Sequence, residues 1–173
     1  MKRFYFKIKK IIKNLEIVIF DFDGVFTNNF VIINQNGEES VMSNRSDGYG
    51  LKMLREVGVD FLIISSEINK VVEKRAEKLR IKCFSGVENK LLLLKQILEE
   101  KNISSDNAAF IGNDINDIDC MNWVGLRVAV RDAFPEVKKI ANLVLEKAGG
   151  YGAVREFCEM VYKIKLNTKV INF

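Results

Sequence analysis

The segment Ile17-Val18-Ile19-Phe20-Asp21-Phe22-Asp23-Gly24 constrains this chain more than any other, because an apolar run leads directly into two carboxylates and a glycine. A run of this kind, rich in β-branched residues and closed by glycine, reads as a strand buried on both faces of a parallel sheet. Asp21 and Asp23 then stand at the strand's carboxyl end, where open α/β sheets bind their ligands. Two carboxylates this close stay ionised only when a cation or a proton lies between them. An Asp-Gly hairpin turn would account for Asp23. It leaves Asp21, directly after the apolar run, without a purpose.

Composition narrows the chemistry. The 173 residues include no histidine, which removes Ser-His-Asp hydrolases, histidine phosphotransfer and histidine-ligated metals. Cys83, Cys120 and Cys158 are widely spaced and form no CxxC pair, so neither disulfides nor structural zinc is expected. None is followed by the closely spaced arginine that a thiol phosphatase needs, and no GxxxxGK[ST] or GxGxxG loop is present. An enzyme built on this chain works with carboxylates, hydroxyls, lysine and a metal.

A net charge of +4, from 27 basic and 23 acidic residues, permits an anionic small molecule without demanding nucleic acid. No apolar stretch is long enough to span a bilayer. The basic segment 1–13 alternates charge with aromatic and aliphatic residues and reads as an amphipathic helix packed on the body or a neighbour, with no membrane role. A cytoplasmic protein is expected.

Beyond the first strand, apolar runs at 59–64, 81–84, 108–111, 124–130 and 143–145 read as strands. Helical spacing and end signals place helices at 47–58, 69–79, 89–101, through 121, after Pro135 and at 152–163. Asp47 is expected to cap the first of these, and the tail 165–173 to be loosely held. Asn36-Gly37 between 30–33 and 39–42 signals a β-hairpin. Strands alternating with helices imply an α/β fold with a parallel sheet covered on both faces.

Parallel strands bring their carboxyl ends to one crevice. There the first strand contributes Asp21 and Asp23, the second Ser65 and Ser66, the helix after the third Lys90, and the fourth Asn113, Asp114, Asn116 and Asp117. A lysine in a helix's first turn opposes the macrodipole, a cost a solvated surface residue tolerates but which a phosphate and a carboxylate together would offset. Clustered oxygen ligands with neither imidazole nor thiolate favour Mg2+.

Asp21-Phe22-Asp23-Gly24-Val25-Phe26-Thr27, Ser65, Lys90 and Gly112-Asn113-Asp114-Ile115-Asn116-Asp117 resemble, in order, the motifs of the haloacid dehalogenase superfamily of phosphatases. Asp47-Gly48-Tyr49-Gly50, Val124-Gly125-Leu126-Arg127-Val128-Ala129-Val130 and Gly149-Gly150-Tyr151-Gly152-Ala153-Val154-Arg155-Glu156 extend the likeness to the phosphatases of 3-deoxy-ulosonic acid phosphates. The resemblance implies a three-layer Rossmann-like fold in a single domain, 1–173, with a hairpin insertion at about 28–44 and no large cap. It makes Asp21 the nucleophile and Asp23 the acid and base, with Ser65 and Lys90 on the phosphoryl oxygens. Mg2+ would sit on Asp21, the Asp23 carbonyl and the fourth motif. The family's aspartate after the motif's glycine is here Asn113, so Asn113, Asp114 and Asp117 all stand as candidate ligands.

Specificity and assembly follow from the same resemblance. Ser65-Ser66-Glu67 replaces the threonine-glycine-arginine of octulosonate 8-phosphate phosphatases. That change resembles nonulosonate 9-phosphate phosphatases and the phosphatase-like domains of sialic acid cytidylyltransferases, in which Glu67, Arg75 and Lys78 would face the substrate; a solvated helix face is the alternative for these three. Thr27, Asp47 and Ser66 join this substrate-contacting set. A nonulosonate 9-phosphate is the expected substrate, with the octulosonate 8-phosphate as alternative and a catalytically weak partner domain in sialic acid activation as a third. A receiver-like signalling module would need its aspartate at the third strand's end, where Phe84-Ser85 stands. Relatives of this subgroup pair their hairpins in homotetramers, so a homotetramer is expected, with Arg45 and Ser46 at a shared entrance.

Overall fold

The computed structural model describes residues 2–169, with side chains from residue 6 to residue 167. Its centre is a six-stranded sheet in the order β5-β4-β1-β6-β7-β8. The strands are β1 (Ile17–Phe20), β4 (Asp60–Ile64), β5 (Lys82–Phe84), β6 (Ala108–Gly112), β7 (Leu126–Ala129) and β8 (Leu143–Val144). All pair in parallel, with Ile17 aligned to Asp60 on one side and to Ala108 on the other. β1 and β6 are wholly buried, as their unbroken apolar runs require.

The helices are α1 (Lys2–Asn14), α2 (Asp47–Glu56), α3 (Lys70–Leu79), α4 (Lys90–Glu100), α5 (Ile118–Trp123), α6 (Pro135–Ile140) and α7 (Ala153–Lys169). α1 and α2 pack on α7, while α4 and α6 pack on α5, so helices cover the sheet as expected of a Rossmann-like α/β fold. Ile8 and Ile12 of the first helix, with Leu15 just beyond its end, are buried, and Lys165 Nζ donates to the Lys13 carbonyl at 3.2 Å. That packing extends α7 to Lys169, well past the expected end near 163; residues 170–173 lie outside those described. No helix among the described residues is long and apolar enough to cross a membrane.

β2 (Thr27–Ile33) and β3 (Glu39–Ser43) form a separate antiparallel hairpin, with no large cap domain beside it. Its pairing shifts register between Thr27 and Val31, where Asn29 takes a left-handed φ of 63°. Phe30, Val31, Ile32, Ile33 and Met42 are exposed on it, Phe30 by 73%. Asp47 corrects one expectation. It is the first residue of α2 and not its cap, and its Oδ1 accepts from the Arg155 N–H of α7 at 3.2 Å.

Candidate active site

Asp21 follows β1 directly, and its N–H still donates to the Ile111 carbonyl at 3.0 Å, so the carboxylate is carried by the sheet's own ladder. The chain then turns tightly, the N–H groups of Val25 and Phe26 donating to the Phe22 carbonyl at 3.2 and 2.9 Å. Phe20, Phe22 and Phe26 anchor this turn through ring contacts with centroids 5.4 and 5.9 Å apart. Gly24 adopts φ +74°, and a Cβ there would collide with the Asn113 amide. Gly149 serves the same loop from outside, since a Cβ on it would strike the Gly24 carbonyl.

Asp23 points to the mouth of the cleft. Its Oδ1 accepts from the Thr27 hydroxyl at 3.4 Å, and that Oγ1 accepts from the Gly24 and Asn29 N–H groups at 3.1 and 3.2 Å. Thr27 is fully buried, so its position fixes Asp23 without exposing it to a ligand. Burial, and then the charge of Glu67, raises the Asp23 carboxyl above its ordinary value against the Thr27 hydrogen bond.

Lys90 opens α4, whose first turn is capped by the Asn89 side chain accepting from Leu92 N–H at 2.9 Å. The residue is 4% exposed, and its ammonium donates to Asp21 Oδ1 at 2.8 Å and Asp117 Oδ1 at 2.9 Å. Burial depresses this ammonium, but the two carboxylates outweigh burial and hold it above its ordinary value. Their attraction offsets the macrodipole's cost. Burial and the neighbouring Asp117 push Asp21 up to about 7, against the pull of Lys90.

The fourth strand end divides its polar residues by task. Asp117 Oδ2 accepts from the N–H groups of Asn113 at 3.0 Å and Asp114 at 3.4 Å, so both its oxygens are engaged and it faces Lys90. Asp114 lines the cleft while its Oδ1 accepts from Ile115 N–H at 2.6 Å. Asn113 places one amide atom 3.2 Å from Asp21 Oδ2 and 2.8 Å from the Asp23 carbonyl oxygen. Among the described residues no three Asp, Glu or Cys side chains form a metal cluster. The oxygens that do converge are one carboxylate oxygen, one backbone carbonyl and one amide. Neighbouring ligands of an octahedral Mg2+, each about 2.0–2.1 Å from the ion, lie about 2.9 Å apart, so this set fits such an ion.

A cavity of about 250 Å³ lies over these groups, lined by Asp21, Asp23, Asn29, Asn113, Asp114, Ile115 and Asn116. A second, of about 160 Å³, shares Asp23 and Asn29 and runs under the hairpin past Glu39, Val41, Glu67 and Asn69. Asn29 and Glu39 had no sequence signal beyond the tolerance of asparagine for the left-handed region. Asn69 Nδ2 donates to Glu39 Oε2 at 2.6 Å, tying the hairpin to the start of α3.

Ser65, buried at the end of β4, has its N–H on the Phe84 carbonyl at 2.8 Å and its hydroxyl accepting from Glu67 N–H at 3.1 Å. Ser66 and Glu67 are exposed. The remaining expected substrate contacts are dispersed. Arg75 is not turned to either cavity but donates to the Asn44 carbonyl at 2.8 Å, and Lys78 is exposed on α3 outside both. Ser46 binds Asn44 Oδ1 through its N–H and hydroxyl at 2.9 and 2.8 Å, beside an exposed Arg45. Asp47 is fully buried and does not reach the cleft, a correction to its expected role. Burial pushes it up to about 6 against Arg155 and Arg75. The thiols offer no nucleophile, since burial raises Cys83 to about 11 and Cys120 to about 12.

Residues 64–157 match the haloacid dehalogenase-like hydrolases. Over 150 residues the chain is 37% identical to the 3-deoxy-D-manno-octulosonate 8-phosphate phosphatase KdsC of Salmonella typhi, covering 86% of this chain and 80% of that protein. Among solved structures, a subfamily III A hydrolase of the same superfamily from Legionella pneumophila superposes with a TM-score of 0.93 at 31% identity, covering 97% of this chain and 93% of that one. The 3-deoxy-D-manno-octulosonate 8-phosphate phosphatase of Moraxella catarrhalis, solved in complex with magnesium ion, phosphate ion and KDO, superposes at 0.88 with 28% identity and 95% of each chain covered. The chain therefore belongs to the haloacid dehalogenase-like hydrolases, within their capless 3-deoxy-ulosonate phosphatase group, and is a phosphoric monoester hydrolase.

Proposed function

We propose that the protein hydrolyses the terminal phosphate of a 3-deoxy-ulosonic acid phosphate in a Mg2+-dependent reaction through Asp21. The observation that carries this reading is the division of Asp21 between two partners: Oδ1 on Lys90, and Oδ2 beside the Asp23 carbonyl and the Asn113 amide. One oxygen is thereby aimed for attack while the other belongs to the cation site formed with Asp23 O and Asn113 Oδ1. A bound Mg2+ supplies charge neutralisation between the carboxylates and the phosphoryl group.

Asp21 Oδ1 attacks phosphorus in line, and the bond to the sugar oxygen breaks as Asp23 delivers its proton to that oxygen. The raised Asp23 carboxyl suits this, because it retains the proton at higher pH than an ordinary aspartate. Asp23 then takes a proton from the water that attacks the aspartyl phosphate, releasing inorganic phosphate and restoring Asp21. Lys90 holds Asp21 and offsets charge gathering on the phosphoryl oxygens, to which Ser65 donates. Asp117 keeps Lys90 in place; Asp114 borders the cation site from the cleft wall.

Two of the relatives named above, those from Salmonella typhi and Moraxella catarrhalis, are 3-deoxy-D-manno-octulosonate 8-phosphate phosphatases, which supports that substrate ahead of the nonulosonate 9-phosphate expected from Ser65-Ser66-Glu67. One observation favours the longer sugar acid: Glu67 lines the hairpin side of the cleft, where it can accept hydrogen bonds from sugar hydroxyls. The exposed apolar hairpin supports a homotetramer in which a neighbour's hairpin covers Phe30, Ile32 and Met42. Phosphate release from both sugar acid phosphates, with Mg2+ and with chelator, tests the reading. Magnesium-dependent release with octulosonate preferred is expected, whereas no release from either in the presence of Mg2+ would end it.

A further inference from the structure

Asn113 is 6% exposed, and its amide has two unlike ends in contrasting surroundings. The inward atom meets only acceptors, Asp21 Oδ2 and the Asp23 carbonyl, while the outward atom faces only donors. With nitrogen inward, the amide donates to both oxygens. With oxygen inward, three oxygens meet without a hydrogen between them, an arrangement that a cation stabilises and its absence does not. The two orientations have the same shape and interconvert by rotation of the amide alone. Space for that rotation comes from Gly24, whose missing Cβ would occupy the amide's position.

We propose that Asn113 is a two-position residue of the cation site, a proposal that rests on the Mg2+-dependent reading above. In the metal-free protein its nitrogen turns inward and closes the site with hydrogen bonds to Asp21 and Asp23. When the cation enters, the amide rotates and presents its oxygen. An aspartate here could do only the second, and without metal it would set a further negative charge against Asp21. Asn113 therefore keeps the empty site satisfied and weakens cation binding, because two hydrogen bonds are broken as the metal enters. Their loss corresponds to between about fivefold and about a hundredfold in affinity.

The test compares the full-length wild type with Asn113→Asp by calorimetric titration with Mg2+ and by thermal melts in chelator and in saturating Mg2+. Asn113→Asp is expected to bind Mg2+ about tenfold more tightly or better. It should melt below the wild type in chelator and above it in Mg2+. An equal or higher melting temperature in chelator would overturn the proposal, since the amide would then stabilise nothing in the empty site. A second measurement needs no variant: in wild type labelled with 15N-asparagine, one side-chain amide pair should shift on adding Mg2+, and amide resonances that stay fixed would also overturn it. If the wild type and Asn113→Asp both bound no Mg2+, the metal-dependent reading would fall and this proposal with it. Equal affinities and equal chelator stabilities would remove only the rotating amide.

Discussion

Lys90→Met removes the one ammonium that bridges Asp21 and Asp117 while keeping most of the side chain's volume. Removing one partner of a buried ion pair costs about 3–5 kcal/mol, because the charge left behind is uncompensated. Lys90 is 3% exposed at its side chain, and its partners are 7% and 0% exposed, so solvent screens little of that loss. For a chain of this length each kcal/mol moves Tm by about 2–4 °C, so a drop of roughly 6–20 °C is expected in chelator. The loss should also depend on pH. Asp21 already stands at about 7, and without Lys90 it rises further, because burial and Asp117 are then opposed only by the backbone hydrogen bond from Phe22. A carboxyl raised in the folded state contributes stability that is fully present below its ordinary value of 3.8 and is lost as pH rises through the folded value. The Tm gap between Lys90→Met and wild type should therefore be smallest near pH 5 and widen towards pH 8. Adding Asp117→Asn should recover part of the stability and none of the phosphate release. Circular dichroism melts at constant protein concentration provide the assay. A Tm gap below about 2 °C at pH 8, or one that narrows as pH rises, would refute this account of Lys90.

Asp47 should carry a separate pH dependence. Raised from 3.8 to about 6, it makes a stability contribution that is present below pH 3.8 and lost as pH rises through 6, worth about 3 kcal/mol in all. Asp47→Asn should flatten the wild-type fall in Tm between pH 4 and 7, and identical pH slopes in the two proteins would contradict the assignment. If the proposed homotetramer forms through the hairpins, Phe30→Asp should shift the species seen by light scattering to smaller forms and reduce phosphate release; a wild type and variant of equal size would contradict the hairpin interface.

The sheet was legible because its central strands are dominated by apolar runs, and β1, β4 and β6 begin at Ile17, Asp60 and Ala108, each within one residue of the expected start. The strand-end residues were equally legible, since a parallel sheet gathers its carboxyl ends whatever the loops do. What the sequence concealed depends on partners far along the chain. Asp47 looked like a helix cap, yet its hydrogen-bond partner Arg155 lies 108 residues away. Arg75 looked available to a substrate but turns to Asn44, 31 residues back. Asp117 stood among candidate metal ligands because spacing cannot show that Lys90 and two backbone N–H groups occupy its oxygens. The end of α7 was set too early near 163, because the contacts that hold the last turns are remote: Ile164 is buried and Lys165 bonds α1, 152 residues earlier in sequence.

The central claim is that Asp21 itself carries the phosphoryl group. Asp23→Asn lacks both the acid of the first step and the base of the second, so it is mixed with Mg2+ and p-nitrophenyl phosphate, whose leaving group departs without protonation, and should then accumulate the aspartyl phosphate. Quenching with borohydride reduces an acyl phosphate to an alcohol, so peptide mass spectrometry should find homoserine at position 21 and at no other aspartate. Chelator, or Asp21→Asn in the same background, should abolish the product. Unreduced Asp21 during turnover, or phosphate release that survives Asp21→Asn in the otherwise wild-type chain, would contradict the account.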